Sequence, residues 1–375
     1  VVCTGLVDRI GQQSSTIAHK AFLPSGERIH TQSMPIADHR AGLEEVRKLL
    51  LNSEIGVIAD PDEVHVVGHR VVHGGEKFSA TQLIEQETLD KIRELFPLAP
   101  LHNPSNYMGI EVATSIFSKA KQVGVFDTAF HQTLPPVAFR FAIPNEFYEN
   151  HGIRAYGFHG TSHQYVSSRA LDHLQKQDSK LISIHLGNGC SMAAIRNGVC
   201  IDTSMGLGPM NGLVMGTRAG DLDQSVIFHL VSQLGYSLDE VNHLLNKKSG
   251  MLGLTGFSDM RDIQKKYYEG DPKARLGYEL YAYRIQKYIG AFAAVLNGLD
   301  AVIFTAGVGE NDALTRKLVC KNLDFLGIQL DEQKNEMRAN ELRELQSADS
   351  RVKILVIPTN EELEIAIQCF ELLKK

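Results

Sequence analysis

No stretch of this sequence is apolar for long enough to cross a bilayer, and its start carries no secretory-signal pattern. No membrane association is expected. Positive charge is also scarce: 38 Lys and Arg stand against 44 Asp and Glu, a formal net charge of −6. That balance argues against nucleic acid as a partner and means that an anionic ligand must be held by local positive groups. The five cysteines, Cys3, Cys190, Cys200, Cys320 and Cys369, are odd in number and lack metal-ligand spacing. Free thiols in a reducing cytoplasm are the simplest reading. No GxxxxGK[ST] phosphate loop occurs, and no low-complexity linker divides the chain. With 375 residues, 43% of them hydrophobic and 22% charged, the chain reads as globular and too long for one core, so two domains are expected. It opens on Val1 rather than methionine, and native residues ahead of that point are expected.

What is present centres on residues 181–206, LISIHLGNGCSMAAIRNGVCIDTSMG. Residues 181–185 have no polar face, as in a strand buried on both sides. Gly187-Asn188-Gly189 breaks that run, 190–196 form a second one, and Asn197-Gly198 is a type I′ hairpin signal before a third at 199–203. A glycine turn between strands lets backbone N–H groups approach a phosphate. An ordinary β-meander explains the same pattern.

Around this centre the spacing predicts helices over 40–51, 86–96, 107–119, 161–176, 222–234 and 237–246, the last capped by Ser237. Asp271-Pro272 opens a long helix that Gly298 can end, and 312–326 reads as a helix stopped by Gly327. Strands are predicted at 63–68, 122–126, 301–305 and 353–357, and a glycine turn at 307–311.

Several residues carry candidate chemistry. In HRVVHGGEKF, Arg70 can clamp a carboxylate or phosphate through two parallel N–H bonds, or form a structural ion pair. Asp127 follows a short apolar strand, where α/β chains expose their chemistry, although a strand-end Asp is also a common cap. His159 and His163 are not followed by a zincin pattern, and the helix start at Gly160-Thr161-Ser162 suits an anion better. Gly216-Thr217-Arg218 adds a second guanidinium in a turn. Glu361 is a carboxylate just past a strand, suited to Mg²⁺ through water or simply solvated at a helix start. Two glycine turns, two arginines, a histidine and an acid together describe phosphoryl transfer, where catalysis is mostly positioning and electrostatics.

The motifs GHRVVHGGEKF (68–78), LAPLHNP (98–104), VFDTAFHQT (125–133), YGFHGTSH (156–163), HLGNG (185–189), MGTR (215–218), FTAGVGEN (304–311) and IPTNEE (357–362) closely resemble the acetate kinase family in the same order, over essentially the whole chain. The resemblance implies an α/β fold, the duplicated ribonuclease-H-like fold of actin, Hsp70 and sugar kinases, with two domains around a nucleotide cleft. One domain is expected over 1–127 plus 363–375, the other over 128–362. It implies an acetate- and ATP-using kinase that requires Mg²⁺ (or Mn²⁺), works in the cytoplasm and forms a homodimer. Carried over at matching positions, Arg70 binds the carboxylate, Asp127 is the assigned acid/base residue, and His159 and Arg218 stabilise the transferring group. Glu361 binds the metal.

On the same resemblance, Val72, Leu101, Phe158 and Pro209 wall the alkyl pocket. His185, Leu186, Gly187, Asn188, Gly189, Asp259, Met260, Arg261, Gly307, Val308, Gly309, Glu310 and Asn311 line the ATP site. Two departures stand out. The family's opening strand, its Asn and Ser-rich loop and a following Lys have no counterpart here, so the first half is expected to lack its leading strand pair. GFSDMR (256–261) also looks one residue short. A short-chain carboxylate kinase acting on propionate, a hydrolase using water as acceptor, and a nucleotide-binding but catalytically impaired chain remain alternatives.

Overall fold

The computed structural model describes residues 1–100 and 102–374. They divide into two compact units, Val1–Phe126 with Ile365–Lys375, and Asp127–Glu364.

The first unit holds two three-stranded sheets. β1 (Cys3–Asp8), β2 (Thr16–Leu23) and β3 (Gly26–Ser33) form an antiparallel meander. Along β2 the period-two pattern buries Ile17, His19 and Ala21 on one face. β4 (Val66–Val71) runs parallel to β6 (Lys121–Phe126), which pairs antiparallel with the short β5 (Gln82–Leu83). β6 is buried from Gln122 onward, as an apolar central strand should be. Among the described residues β1 and β4 each pair on one side only, and Val7 with Val67, Gly68 and His69 lines a cavity of about 350 Å³.

The second unit is built on one six-stranded sheet, ordered β11-β12-β10-β7-β8-β9. Its strands are β7 (Lys180–Leu186), β8 (Cys190–Arg196), β9 (Val199–Thr203), β10 (Ala301–Thr305), β11 (Arg343–Glu344) and β12 (Lys353–Val356). β7, β10 and β12 run parallel, while β7, β8 and β9 form the antiparallel triplet expected from residues 181–203. Asn197 and Gly198 sit at φ +53° and +80°, the backbone a type I′ turn requires. The helices Gly160–Leu174 and Pro272–Leu296 pack on this sheet. Val166, Ala170, Leu181, Ile195 and Ile303 join one buried cluster, each worth roughly 1–3 kcal/mol of burial.

Some elements differ from expectation. The helix predicted at 107–119 is Asn103–Ile116, with Pro104 in its first turn, where a missing N–H costs nothing. The strand expected at 63–68 is Val66–Val71, so Arg70 lies on the strand itself. Residues 307–311 belong to a short helix, Ala306–Asn311, entered through Ala306 at φ +63°. The helix expected to reach 326 stops at Cys320, followed by Asn322 in the left-handed region and a 3₁₀ turn. All five cysteines are free.

Candidate active site

In the second unit a cavity of about 660 Å³ opens beside the turn that joins β7 to β8. That volume lies within the range of small-molecule sites. Gly187 and Asn188 form one part of its wall, and Gly307, Val308 and Asn311 of the short helix form another. The turn is shaped by Gly187 N–H donating to the Gly189 carbonyl at 3.0 Å and Gly216 N–H donating to the Asn188 carbonyl at 3.0 Å. A Cβ on Gly216 would collide with the end of the Asn188 side chain, so a larger residue there would displace Asn188.

Asp259, Met260 and Arg261 complete a third part of the wall. Asp259 caps the helix Met260–Tyr268 and grips the Arg261 guanidinium at 2.6 Å, which holds its carboxyl down at about 2. Four further wall residues, Ser258, Gln264, Asp312 and Arg338, escaped the sequence reading. Asp312 is buried and accepts from Gln264 (2.8 Å), Tyr278 (2.9 Å) and the Thr315 hydroxyl (2.7 Å). It ties two helices to the wall, and no local pattern announces such a role. Arg338 follows a five-residue helix with no motif around it.

Five residues expected at the nucleotide do not line the cavity. Leu186 is wholly buried in β7. The Gly309 carbonyl accepts from the buried Arg316 at 2.9 Å. Glu310 accepts the Thr359 N–H at 3.0 Å, bracing the segment that leads to Glu361. His185 and Gly189 belong instead to a polar cluster next to the cavity wall.

In that cluster His159 stacks on His185, with ring centres 4.2 Å apart. A Cβ placed on Gly189 would lie 3.3 Å from His159 Nε2 and 3.7 Å from Arg218 Nη2, so an imidazole and a guanidinium converge on the bare Gly189 backbone. Arg218 is half-buried and donates to the Pro209 carbonyl at 2.6 Å. Burial lowers its pKa from the usual arginine value. His159 sits at φ +57°, directly before the helix Gly160–Leu174. Such a backbone costs a non-glycine residue about 1–3 kcal/mol and recurs at functional positions.

Asp127, only 1% exposed, receives the Thr161 hydroxyl at 3.3 Å, and its carbonyl accepts the Gly160 N–H at 2.9 Å. A Cβ on Gly160 would collide with that carbonyl. His185 Nδ1 meets the Ser162 hydroxyl at 2.9 Å, and Ser162 meets the Thr359 hydroxyl at 2.8 Å. This chain of contacts reaches within two residues of Glu361, at the start of the helix Glu361–Lys374.

The expected alkyl wall is only partly visible. Phe158 is 1% exposed, so its ring is packed into the unit rather than open to a ligand, and its carbonyl accepts from His131 at 2.9 Å. Pro209 contributes its carbonyl to Arg218. In the first unit, Arg70 is exposed on β4, while Val72 lies one residue past the strand, its N–H held by Asn106 at 3.0 Å. Arg70 and Val72 therefore do not both lie on the strand, which ends at Val71. Leu101 lies outside the described residues.

Among the described residues no cluster of three or more His, Cys, Asp or Glu side chains could cage a metal. Glu361 as a single carboxylate suits Mg²⁺, which keeps several waters and is held largely by substrate phosphates.

A nucleotide-sized cavity with glycine walls, next to a guanidinium and an imidazole that converge on Gly189, is what a nucleotide-dependent phosphotransferase needs. Comparison with known proteins agrees. Residues 1–367 match the acetokinase family. An acetate kinase of Flavobacterium johnsoniae is 55% identical over 374 residues, covering 100% of this chain and 94% of the relative. One of Thermotoga maritima is 50% identical over 381 residues, covering 100% and 93%. The crystal structure of Porphyromonas gingivalis acetate kinase matches with a TM-score of 0.92 at 41% identity, covering 100% of this chain and 94% of that one. A propionate kinase from Francisella tularensis matches at 0.90 and 40%, covering 98% and 92%. The chain belongs to the acetokinase family and has its α/β fold.

Proposed function

We propose that this chain transfers the γ-phosphoryl group of ATP to acetate, reversibly, giving acetyl phosphate and ADP. The observation that carries the reading is the convergence of His159 Nε2 and Arg218 Nη2 on Gly189, one residue from the cavity wall at Asn188. A transferring phosphoryl group spreads negative charge over its oxygens, and donors fixed in advance stabilise it most.

Acetate is ionised near pH 7, since such acids titrate at about 4–5, so its attack needs no general base. One carboxylate oxygen bonds to phosphorus while the bond from phosphorus to the β–γ bridging oxygen breaks. ADP leaves with that electron pair. Arg218 and His159 donate to the oxygens of the group in flight. Asp127, buried and held by Thr161, orients the surrounding groups and moves no proton. On the first unit, Arg70 is our assignment for the acetate carboxylate and Val72 for its methyl group. Glu361 would hold Mg²⁺ (or Mn²⁺) through water, and the ion would supply charge neutralisation on the nucleotide phosphates.

We take the working form to be a cytoplasmic homodimer, as family membership suggests. Exposed Phe228, Leu234 and Leu238, close in sequence on the second unit, are apolar surface that a second copy can cover.

The test is acetyl phosphate formation from ATP and acetate, trapped as the hydroxamate. His159→Gln and Arg218→Ala should each lower kcat about 100-fold or more. Phosphate release that does not depend on acetate would instead mark a hydrolase. Propionate remains a second reading for the acceptor, because a structural neighbour at 40% identity is a propionate kinase.

A further inference from the structure

Behind His159 lies a row of buried polar groups that the reaction above does not use. His159 Nδ1 is 2.8 Å from the Ser191 hydroxyl. The same hydroxyl is 2.8 Å from His163 Nε2, and His163 Nδ1 is 2.8 Å from the Ser183 hydroxyl. Ser183, Ser191 and His163 are each 0% exposed, so water cannot complete their hydrogen bonds.

We infer that Ser183, His163 and Ser191 form an ordered relay that makes His159 Nδ1 an acceptor and leaves the proton on His159 Nε2, the edge beside Gly189 and Arg218. This rests on the reading of His159 as a donor to the transferring phosphoryl group.

The ordering follows from counting protons. A neutral imidazole has one N–H and one lone pair, and a hydroxyl has one O–H to give. The relay ends at Ser183, whose hydroxyl has no partner besides His163 among the described residues. If Ser183 donates to His163 Nδ1, His163 Nε2 carries the proton and donates to Ser191. Ser191 then gives its own O–H to His159 Nδ1, and every buried donor is matched. Any state with a proton on His159 Nδ1 turns that contact round. Either Ser191 then loses its acceptor, or it donates to His163 Nε2 and the Ser183 hydroxyl is stranded. A stranded buried hydroxyl bears its full desolvation cost, so the first arrangement wins. Burial also lowers the His163 pKa well below the usual histidine value, in keeping with a neutral ring in the relay. Ser183, His163 and Ser191 are therefore positioning residues: they touch no substrate and act through His159.

The experiment is magic-angle-spinning NMR on the full chain labelled with ¹³C,¹⁵N-histidine, with the His159 signals assigned by their loss in His159→Gln. Wild type should show His159 with an unprotonated Nδ1 and a protonated Nε2. Ser191→Ala should mix the two tautomers and lower kcat about 10- to 100-fold, the scale of one hydrogen bond to a charged group, with KM for ATP within about twofold. Ser191→Thr, which keeps a hydroxyl, should restore both signals and rate. If Ser191→Ala does not fold, Ser191→Cys serves instead: its S–H is a weak donor, so the bias on His159 Nδ1 falls and both tautomers should again appear. A wild-type His159 protonated at Nδ1 overturns the relay. So does a folded Ser191→Ala or Ser191→Cys that keeps the Nε2–H signal unchanged. An unchanged kcat in His159→Gln would instead remove the assignment of His159 as donor, while the tautomer measurement still decides the relay.

Discussion

Gly189→Ala separates two roles for the groups that converge on Gly189: holding a ligand, or only packing. The new Cβ would lie 3.3 Å from His159 Nε2, 3.4 Å from His159 Cε1 and 3.7 Å from Arg218 Nη2. Comfortable carbon contacts begin near ~3.5 Å, so His159 has to yield by a few tenths of an ångström. Gly189 is not in the left-handed region, so alanine meets no backbone strain. Overpacking on that scale costs ~1 kcal/mol, which lowers Tm by roughly 2–4 °C in a unit of this size.

The effect on turnover should be far larger. A phosphoryl oxygen bonded to Nε2 sits ~2.9 Å away, and the new methyl group crowds that approach. Losing two hydrogen bonds to a charged group, each worth ~1.5–3 kcal/mol, lowers kcat by roughly 100-fold or more. The cavity wall at Gly187 and Asn188 is untouched, so KM for ATP should stay within about threefold. Steady-state kinetics and a thermal melt of the same preparation provide the check, with Gly160→Ala as a contrast: there the Cβ meets the Asp127 backbone carbonyl, and the melt itself should collapse. Normal turnover in Gly189→Ala would refute the phosphoryl position. A loss of Tm like that of Gly160→Ala would show the glycine to be structural only.

Wild type should favour acetate over propionate in kcat/KM by about tenfold, the lower part of what one methylene earns in an apolar pocket. Val72→Ala should narrow that ratio through KM for propionate, whereas Arg70→Ala should weaken both acids alike; an unchanged ratio in Val72→Ala removes Val72 from the pocket. His131 is wholly buried and held down at about 4, chiefly by burial, against its hydrogen bond to the Phe158 carbonyl. Below pH ~6.5 the unfolded chain takes up a proton that the native ring refuses, so stability should fall by about 3 kcal/mol between pH 6.5 and 4. His131→Gln should flatten that decline in urea melts at stepped pH. Arg338→Ala should raise KM for ATP about two- to fivefold, the worth of an exposed charge contact, with kcat unchanged; isothermal titration with ADP reads the same loss.

Where a signal is complete within a few neighbouring residues, the sequence sufficed. Asn197-Gly198 specifies its hairpin because both positions must accept positive φ. Ser237 and Glu240 satisfy each other's backbone N–H groups in a capping box, and Asp271-Pro272 starts its helix in the same local way. Gly187 and Asn188 were legible as a turn between strands. The motifs around Arg70, Asp127, His159 and Arg218 point to phosphoryl transfer only when read together, and membership of the acetokinase family supports that class of reaction.

What only the tertiary structure decided is which distant residues meet, because strand pairing and helix packing choose partners that no window of sequence contains. Residues 307–311 read as a turn, yet packing after β10 winds them into a helix that presents Gly307 and Val308 to the cavity and turns Gly309 toward Arg316. Asp312 draws partners from Gln264, Tyr278 and Thr315 on three helices. Phe158 is apolar in any reading, and only the packed unit determines that its ring is buried. The antiparallel register of β7 and β8 sets His185 opposite Ser191, and packing of the helix that carries His163 then brings its ring to both Ser183 and Ser191. Residues eight apart in sequence thus become the two ends of one hydrogen-bonded row.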